Sequence, residues 1–274
     1  MDFMQNKIII ITGGTSGIGK ALVQVYAAAG AKIVLAARHQ DNLKKVAAQL
    51  KLKEDSFLTI VADVSIEEDC QQLIYRSVER FGKIDVLINN AGISMRALFA
   101  EVDLNVLKQV MNTNFWGTVY CTKYALPHLL KTKGTVVGIS SIAGKKGLPT
   151  RSGYSASKFA MEGFLQSLRT EHLKDGLHVL VACPGFTTSN IRNTALVKDG
   201  SAEGESPRDE MKMMSAEEVA LRIFNAIQEQ KRDLTLTTQG KLLVFLNKWL
   251  PSLTDRLTYN HFVKEKGNPL TTLT

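Results

Sequence analysis

Short apolar runs alternate along the chain with longer segments in which apolar residues recur every three or four positions. The short runs are apolar on consecutive positions, which is typical of strands buried on both faces of a parallel sheet. The longer segments have the pattern of amphipathic helices, and they lie where the crossover connections of such a sheet would run. Six strands are predicted at residues 7–11, 32–36, 56–61, 86–89, 135–139 and 179–183 and a less apolar seventh at 233–237, with helices that include 20–29, 41–50, 67–81 and 105–130.

This alternation predicts the α/β class, with a doubly wound parallel sheet of about seven strands and helices on both of its faces. No internal repeat is visible, and residues 1–274 are interpreted as a single domain. Residues 186–214 break the pattern and are predicted to form a substrate loop or lid, because polar residues and glycines concentrate at 198–212. Ser215 and Glu218, which have the spacing of a capping box, mark the start of the next helix.

Residues 239–274 are predicted to form an amphipathic C-terminal extension. Its large apolar residues share one helical face and basic residues lie in the same region: Leu242, Leu246, Trp249 and Leu253, with Lys241, Lys248 and Arg256. Two interpretations stay open. The extension either packs over the substrate pocket or another subunit, or it makes peripheral contact with a membrane surface.

The composition is that of a soluble globular protein, with 45% hydrophobic and 22% charged residues. No apolar run approaches the length of about 18 residues that a membrane-spanning helix needs, and the first apolar run reads as a buried strand, not a signal peptide. The formal net charge is +8, but the basic residues are scattered, which argues against nucleic acid as a partner. Because Cys70, Cys121 and Cys183 lack metal-ligand spacing, we expect free thiols, no metal site and a cytoplasmic protein, with membrane association left open.

A glycine-rich turn, residues 12–19, follows the first strand and leads into a helical pattern. Glycines let backbone amides approach a ligand closely, and the N-terminus of a helix favours a pyrophosphate. In this strand–turn–helix context we predict a dinucleotide site that includes Gly13, Thr15, Ser16, Gly17, Ile18 and Gly19.

The end of the second strand, Ala36-Ala37-Arg38, bears on which dinucleotide binds. An acidic residue there would accept hydrogen bonds from the adenosine ribose and repel a 2′-phosphate. This chain has a guanidinium and no carboxylate at that point, so NADP(H) is predicted to be preferred over NAD(H). The alternative is that Arg38 only packs over the adenine.

Tyr154 and Lys158 are four residues apart, so they share one face of a helix. A free tyrosine has a pKa of about 10 and exchanges protons poorly at neutral pH. A nearby cation favours the phenolate, and the pair is therefore predicted to bring the tyrosine pKa toward working pH.

Together with further motifs, this pair makes the chain resemble the short-chain dehydrogenase/reductase family over roughly residues 7–189. The matching motifs are the 12–19 turn, Asp63-Val64, Asn89-Asn90-Ala91-Gly92, Asn114, Ser140-Ser141, Tyr154 with Lys158, and Pro184-Gly185. The resemblance implies a Rossmann-type fold and assigns cofactor contacts. Asp63 and Val64 would contact the adenine, Asn90, Ala91 and Gly92 the adenosine-ribose side, and Pro184, Gly185, Thr187 and Ser189 the nicotinamide side, Ser189 standing where the family often has threonine.

The resemblance also implies that the chain interconverts a carbonyl and an alcohol by hydride transfer. Ser141, and not its neighbour Ser140, would polarise the carbonyl oxygen, and Tyr154 would act as general acid or base. Lys158 would lower the pKa of Tyr154 and hold the nicotinamide ribose. Asn114 would anchor a water molecule that connects Lys158 to solvent.

The substrate is expected to be hydrophobic, such as a ketone, an aldehyde or a steroid- or lipid-like molecule. Apolar residues flank the predicted catalytic segments and are candidate pocket walls beside Ser141: Met95, Leu98, Phe99, Leu148, Phe186 and Ile191. The resemblance implies a homodimer or homotetramer formed through the helices at 105–130 and 154–172. A non-catalytic regulatory protein that senses NADP(H) is the alternative function, and sugar-nucleotide epimerisation fits the glycine pattern poorly.

Overall fold

A computed structural model describes residues 2–51, 54–204 and 213–272 of the protein. The strands are β1 (Ile8–Thr12), β2 (Lys32–Ala37), β3 (Phe57–Val61), β4 (Val86–Asn89), β5 (Thr135–Ile139), β6 (His178–Cys183) and β7 (Asp233–Thr235). They form one parallel sheet in the order β3-β2-β1-β4-β5-β6-β7. The predicted α/β fold with seven parallel strands is confirmed.

Helices cover both faces of this sheet. They are α1 (Gly17–Ala28), α2 (Gln40–Gln49), α3 (Glu67–Phe81), α4 (Leu104–Met111), α5 (Gly117–Thr132), α6 (Ser152–Glu171), α7 (Ala216–Gln228), α8 (Thr238–Trp249) and α9 (Pro251–Val263). Within β1, Ile9 and Ile11 point into a core shared with α1, α2 and α7, whereas Ile10 points into a second core shared with α3, α5 and α6. The consecutive apolar residues of the strands are explained by these two cores.

Two element boundaries differ from the predicted ones for visible reasons. The seventh strand ends at Thr235, because Thr237 turns the chain with a φ of +66° and its Oγ1 accepts a hydrogen bond from the backbone N of Gly240 at the start of α8. The long helix predicted at 105–130 is divided into α4 and α5 by a π-helical turn, Asn112–Trp116.

The described part of the 186–214 segment lies against the chain that follows β4. Arg96 donates its backbone N–H to the carbonyl of Leu196, and Asp103 donates to that of Lys198, each at 2.8 Å. Residues 205–212, the remainder of the predicted lid, lie outside the described residues. The capping serine predicted for the next helix is confirmed, since Ser215 Oγ accepts from the backbone N of Glu218 at 3.1 Å.

The C-terminal extension packs on one side and is exposed on the other. Leu243 and Val244 of α8 pack against the second core, and Phe262 of α9 is buried. Arg151, just before α6, forms an ion pair with Glu265 at 3.1 Å, and the Arg96 guanidinium donates to the carbonyl of Lys266 at 2.7 Å. The extension thus lies against the loop after β4 and the segment just before α6, the helix that carries Tyr154 and Lys158. Across the described residues, no helix combines the length and apolar character that crossing a membrane requires.

Candidate active site

The glycine turn after β1 lies at the point where the strand order reverses, beside the carboxyl end of β4. Gly13 has a φ of +65°, and a Cβ on it would lie 2.7 Å from Cα of Ala91. Gly17 has a φ of +49°, and a Cβ there would lie 3.1 Å from Cβ of Ser189. The turn therefore lies close to both the loop after β4 and the segment after β6. Larger residues at positions 13 and 17 would push these segments away from the turn.

Hydrogen bonds to the start of the loop after β4 hold this turn in place. Thr12 Oγ1 accepts from the backbone N–H groups of Asn90 and Ala91, both at 3.1 Å. The side-chain amide of Asn90 donates to the carbonyls of Thr12 and Gly13 at 2.9 and 3.0 Å. Asn90, predicted to line the ribose side, thus supports the glycine turn. Thr12 is a site residue that the sequence prediction missed, although a hydroxyl at the end of a strand next to a glycine turn is a usable signal.

The first backbone N–H groups of α1 lie next to this turn and receive no capping side chain. Ser16 occupies the N-cap position without a capping hydrogen bond from its side chain, and the first turn of the helix has no acidic residue. A cleft of about 440 Å³ opens beside it, lined on one side by Gly17 and Lys20 and on the other by Thr188, Ser189 and Asn190. These features suit an anion such as a pyrophosphate.

The ends of β2 and β3 present the residues predicted to choose the nucleotide. Arg38 directly follows β2, is exposed, and forms no hydrogen bond or ion pair with the part of the chain that the structure describes. Asp63 follows β3, and its Oδ1 accepts from the backbone N and the hydroxyl of Ser65 at 2.9 and 2.7 Å. Val64 is buried against Gly117. Through its bonds to Ser65, one oxygen of the Asp63 carboxylate stabilises the turn after β3.

The two serines after β5 point to different partners. Ser141 Oγ accepts from the backbone N of Ala143 at 3.2 Å, and the Ser141 hydroxyl acts to lower the pKa of Tyr154. Ser140 is buried, and its hydroxyl donates to Glu162 Oε1 at 2.6 Å. Of the two, Ser141 is the one that the fold brings to the predicted general acid.

The pKa of Tyr154 shifts in the direction opposite to the predicted one. Burial raises it above the usual value, although the Ser141 hydroxyl and the nearby Arg151 act to lower it. Lys158 does not supply the expected effect, because its Nζ donates to the carbonyl of Ile139 at 2.8 Å and lies 5.8 Å from the centre of the Tyr154 ring. With a raised pKa the phenol is protonated at neutral pH, which suits a proton donor.

Lys158 itself is almost completely buried on α6. Burial lowers its pKa from the usual 10.5 to about 8, although Cys183 and Glu162 act in the raising direction. The loop after β4 passes close to this ammonium, since a Cβ on Gly92 would lie 3.4 Å from Nζ of Lys158. The ammonium is therefore held between β5, the loop after β4 and its own helix.

Asn114 lies within the π-helical turn, fully buried. Its Oδ1 accepts from the backbone N of Ile93 at 2.8 Å, and its Nδ2 donates to the carbonyl of Ile93 and to the hydroxyl of Ser157, both at 2.9 Å. The side chain joins the loop after β4 to α6, so both amide donors are engaged by protein groups. Its predicted role as a water anchor stays a prediction.

The segment after β6 continues around the site. The carbonyl of Pro184 accepts from the backbone N of Ile142, and Thr187 is buried with its hydroxyl donating to the carbonyl of Gly185 at 3.2 Å. A Cβ on Gly185 would lie 2.8 Å from Oγ1 of Thr237. The predicted nicotinamide side therefore also borders the start of α8.

The predicted substrate residues separate into groups. Met95 is fully buried in a cluster with Tyr154 and Leu196. Leu148 packs with residues of the extension, in a cluster with Leu98, Phe262 and Leu270. Phe186 lies 6.2 Å from the ring of His261, whereas Phe99 is 68% exposed and lines no enclosed wall. The individual contributions of Leu196, Phe262 and Leu270 were not predicted, because the sequence left open whether the extension packs over the pocket and does not show which of its residues would do so.

Comparison with known proteins then identifies the family. Residues 7–199 match the family model described as short chain dehydrogenase. The chain belongs to this family. It is an oxidoreductase of the short-chain dehydrogenase/reductase (SDR) type, with a nucleotide-binding Rossmann fold.

Similar curated proteins include several members of this SDR family. The "11-beta-hydroxysteroid dehydrogenase-like 4A" protein of Arabidopsis thaliana is 36% identical over 252 residues, which cover 91% of this chain and 83% of that protein. The "Dehydrogenase/reductase SDR family member 7B" protein of Mus musculus is 34% identical over 270 residues, which cover 96% of this chain and 84% of that protein.

Solved structures share the fold. A short-chain dehydrogenase/reductase from Burkholderia phymatum in complex with NAD has a TM-score of 0.82 at 24% identity, covering 92% of this chain and 96% of its own. An alcohol dehydrogenase from the archaeon Thermococcus sibiricus, complexed with 5-hydroxy-NADP, has a TM-score of 0.75 at 22% identity, covering 85% and 96%. One neighbour carries an NAD and the other an NADP derivative, so this likeness leaves the choice of nucleotide open.

Proposed function

We propose that this SDR protein is an NADP(H)-dependent carbonyl reductase or alcohol dehydrogenase that acts on a hydrophobic substrate. The observation that carries the proposal is the proximity of the Ser141 hydroxyl and the Tyr154 phenol, beside the buried Lys158. A hydrogen-bond donor for a carbonyl oxygen, a protonated phenol and an ammonium are the groups that such a reaction requires.

The residues present fit a nicotinamide dinucleotide. The glycine turn leaves no space for a Cβ at Gly13, and the first backbone donors of α1 have no capping side chain. When bound, NADP(H) supplies or accepts the hydride. The chain's own contribution is to bind the pyrophosphate at the start of α1, to border the nicotinamide with Pro184 and Gly185, and to hold the nicotinamide ribose with Lys158.

At the reacting carbonyl, the roles follow from the two hydroxyls. Ser141 donates a hydrogen bond to the oxygen and stabilises its developing negative charge. Tyr154, whose pKa is raised by burial, delivers its proton to the same oxygen in the reduction direction and accepts it in the oxidation direction. Lys158 provides positive charge near the phenolate that this transfer leaves. We keep the water-anchoring role of Asn114 as part of this proposal.

The preference for NADP(H) rests on Arg38. Its guanidinium lies at the carboxyl end of β2, and Ala36 and Ala37 before it bring no carboxylate to that end of the strand. A 2′-phosphate there would form a charge-assisted hydrogen bond with the arginine, and a plain ribose hydroxyl would gain much less.

A hydrophobic substrate is favoured by two apolar clusters, of which one packs with Tyr154 and the other joins Leu148 to the extension. Met95 and Leu196 pack with the tyrosine, and Leu148 packs with Phe262 of the extension. The name of the Arabidopsis relative refers to a hydroxysteroid, which agrees with a bulky apolar molecule. A steroid- or lipid-like ketone or alcohol is therefore the substrate class that we propose.

For assembly, we propose a homodimer through α5 and α6, and a tetramer is compatible with it. Trp116, at the start of α5, is 42% exposed and stacks on Tyr120 at 5.6 Å, and Phe159 on α6 is exposed. Large apolar side chains on two neighbouring helices are typical of a surface between subunits.

We further propose that an anionic lipid surface binds the outer side of α8. Large apolar side chains are exposed there and at the junction with α9: Leu242, Phe245, Trp249 and Leu250. Lys241 and Lys248 flank them, and Nζ of Lys248 lies 5.3 Å from the centre of the Trp249 ring. A second copy fits this surface less well, because a two-fold contact would bring like charges together.

The proposed activity is tested with the full chain, NADPH or NADH, and a panel of aldehydes, ketones and steroids. We expect NADPH consumption with apolar carbonyl compounds and a lower kcat/KM with NADH. A preference for NADH would contradict the cofactor choice, and activity only with small, highly polar compounds would contradict the substrate class. Cofactor binding without turnover of any compound would instead favour a sensing role.

A further inference from the structure

One buried carboxylate behind the catalytic side chains connects the segments that carry them. Glu162 lies on α6, four residues after Lys158, and is 3% exposed. Its Oε1 accepts hydrogen bonds from Ser140 Oγ at 2.6 Å and from Cys183 Sγ at 3.3 Å. Its Oε2 lies 2.5 Å from Nζ of Lys145.

Each of these partners is next to a residue of the proposed reaction site. Ser140 precedes Ser141, and Cys183 precedes Pro184. Lys145 ends the short 3₁₀ turn, Ile142–Gly144, that Ser141 caps. One carboxylate thus contacts the ends of β5 and β6, the turn after β5, and the helix that carries Tyr154.

The packing around this carboxylate leaves no space for adjustment. A Cβ on Gly144 would lie 2.4 Å from Oε1 of Glu162 and 2.5 Å from Oγ of Ser140. The charge is also compensated: burial lowers the pKa of Lys145, but the hydrogen bond and charge of Glu162 more than offset this, so its pKa is raised. A buried carboxylate with a paired ammonium and two further donors is costly to disturb.

We propose that Glu162 is a positioning residue for hydride transfer, which rests on the proposed function. It contacts neither the substrate nor the cofactor site directly. Through Ser140 and Lys145 it fixes the turn that presents Ser141, and through Cys183 it fixes the start of the nicotinamide side.

The carboxylate also acts on Lys158 by its charge. The Lys158 ammonium is surrounded by the carbonyl of Ile139, the loop at Gly92 near the Asn114 amide, the Tyr154 ring, and Cys183. Burial raises the pKa of the Cys183 thiol, so it is neutral at working pH. Among the described groups that act on Lys158, Glu162 therefore supplies the negative charge, and its removal should lower the pKa of Lys158 further.

The test uses Glu162→Gln, which keeps an oxygen acceptor and the side-chain volume but removes the charge. We expect kcat for reduction to fall by about tenfold or more, with NADPH affinity at neutral pH nearly unchanged. The alkaline limb of the pH profile should move to lower pH, because Lys158 loses its proton earlier. The matched control is Asp85→Asn, a buried carboxylate that two lysines pair at the opposite end of β4. It should lower Tm but leave kcat and the pH profile unchanged.

The proposal is overturned if Glu162→Gln lowers Tm as the control does but keeps the wild-type kcat and pH limb. If that variant does not fold, Ser140→Ala replaces it in the test, because this change removes only one hydroxyl contact to the carboxylate. A reduced kcat at unchanged NADPH affinity supports the proposal, and an unchanged kcat overturns it. Absence of turnover in the wild-type protein would refute the proposed function instead. In that case, lysine ε-carbon NMR, assigned with Lys158→Met, still decides whether the Lys158 midpoint falls in Glu162→Gln.

Discussion

The carboxyl edge of the sheet and the helix pair α8–α9 are neighbours, yet they meet their surroundings in opposite ways. At the sheet edge, polar side chains such as Asn114 and Lys158 are buried and engaged by named partners. On α8, large apolar side chains such as Phe245 and Trp249 are exposed. Buried polar groups demand fixed geometry, whereas exposed apolar groups need only a surface to cover them. The first region is therefore suited to chemistry and the second to association.

The largest expected effect concerns the sheet edge. Tyr154→Phe should lower kcat by about a thousandfold or more, since it removes the proton donor, while the dissociation constant for NADPH stays within a few-fold. Steady-state kinetics and a fluorescence titration measure the two quantities. Tyr124→Phe is the matched control, because the Tyr124 hydroxyl donates to Glu67 on the surface. A Tyr154→Phe protein that keeps substantial activity would mean that another group supplies the proton.

An intermediate effect is expected at the cofactor end of the same edge. Arg38→Asp should weaken NADPH binding by about ten- to a hundredfold, because a charge-assisted hydrogen bond is replaced by repulsion, and it should affect NADH far less. Isothermal titration with both cofactors measures the difference. Lys45→Asp makes the same charge change on the exposed side of α2 and serves as control. Equal losses for NADPH and NADH would argue that Arg38 only packs over the adenine.

The smallest effect is expected on the helix pair, and it should leave the chemistry untouched. The double variant Phe245→Ser with Trp249→Ser should reduce binding to phosphatidylserine-containing vesicles by about tenfold. Its kcat on a water-soluble substrate should equal that of the wild type. Co-sedimentation with and without added salt measures the binding, and Tyr75→Ser, at an aromatic residue equally exposed on α3, is the control. Unchanged vesicle binding would remove the lipid surface as a partner, and loss of self-association in the variant would assign the surface to a second copy.

The two regions also differ in how far the sequence predicts them. Six of the seven strands and the glycine turn follow from apolar runs and from residues with few backbone alternatives, whereas the less apolar seventh strand is shorter than predicted. Tyr154 and Lys158 could be placed on one helix face because four residues separate them. The direction of the Tyr154 pKa could not be predicted, since it depends on burial, which local spacing does not give.

Contacts between distant parts of the chain were equally out of reach. The pairing of Arg151 with Glu265 joins residues far apart in the sequence, and either residue alone reads as a solvated charge. The role of Asn90 in holding the glycine turn depends on β1 and β4 lying side by side. Sequence patterns report which face of an element is apolar, but they do not report which side chain of another element will meet it.

The π-helical turn at Asn112–Trp116 has a consequence for how this protein could change by mutation. A π-turn is, in effect, an α-helix with one residue inserted, and each residue of an α-helix advances by about 100°. Deleting one residue at the start of this turn would restore a regular helix at little cost in backbone hydrogen bonds. The same deletion would rotate position 114 away from Ile93 and Ser157. The extra residue of the π-turn therefore keeps the Asn114 contacts, although it makes the helix irregular. A single-codon deletion could thus leave a folded protein in which the connection between the loop after β4 and α6 is lost.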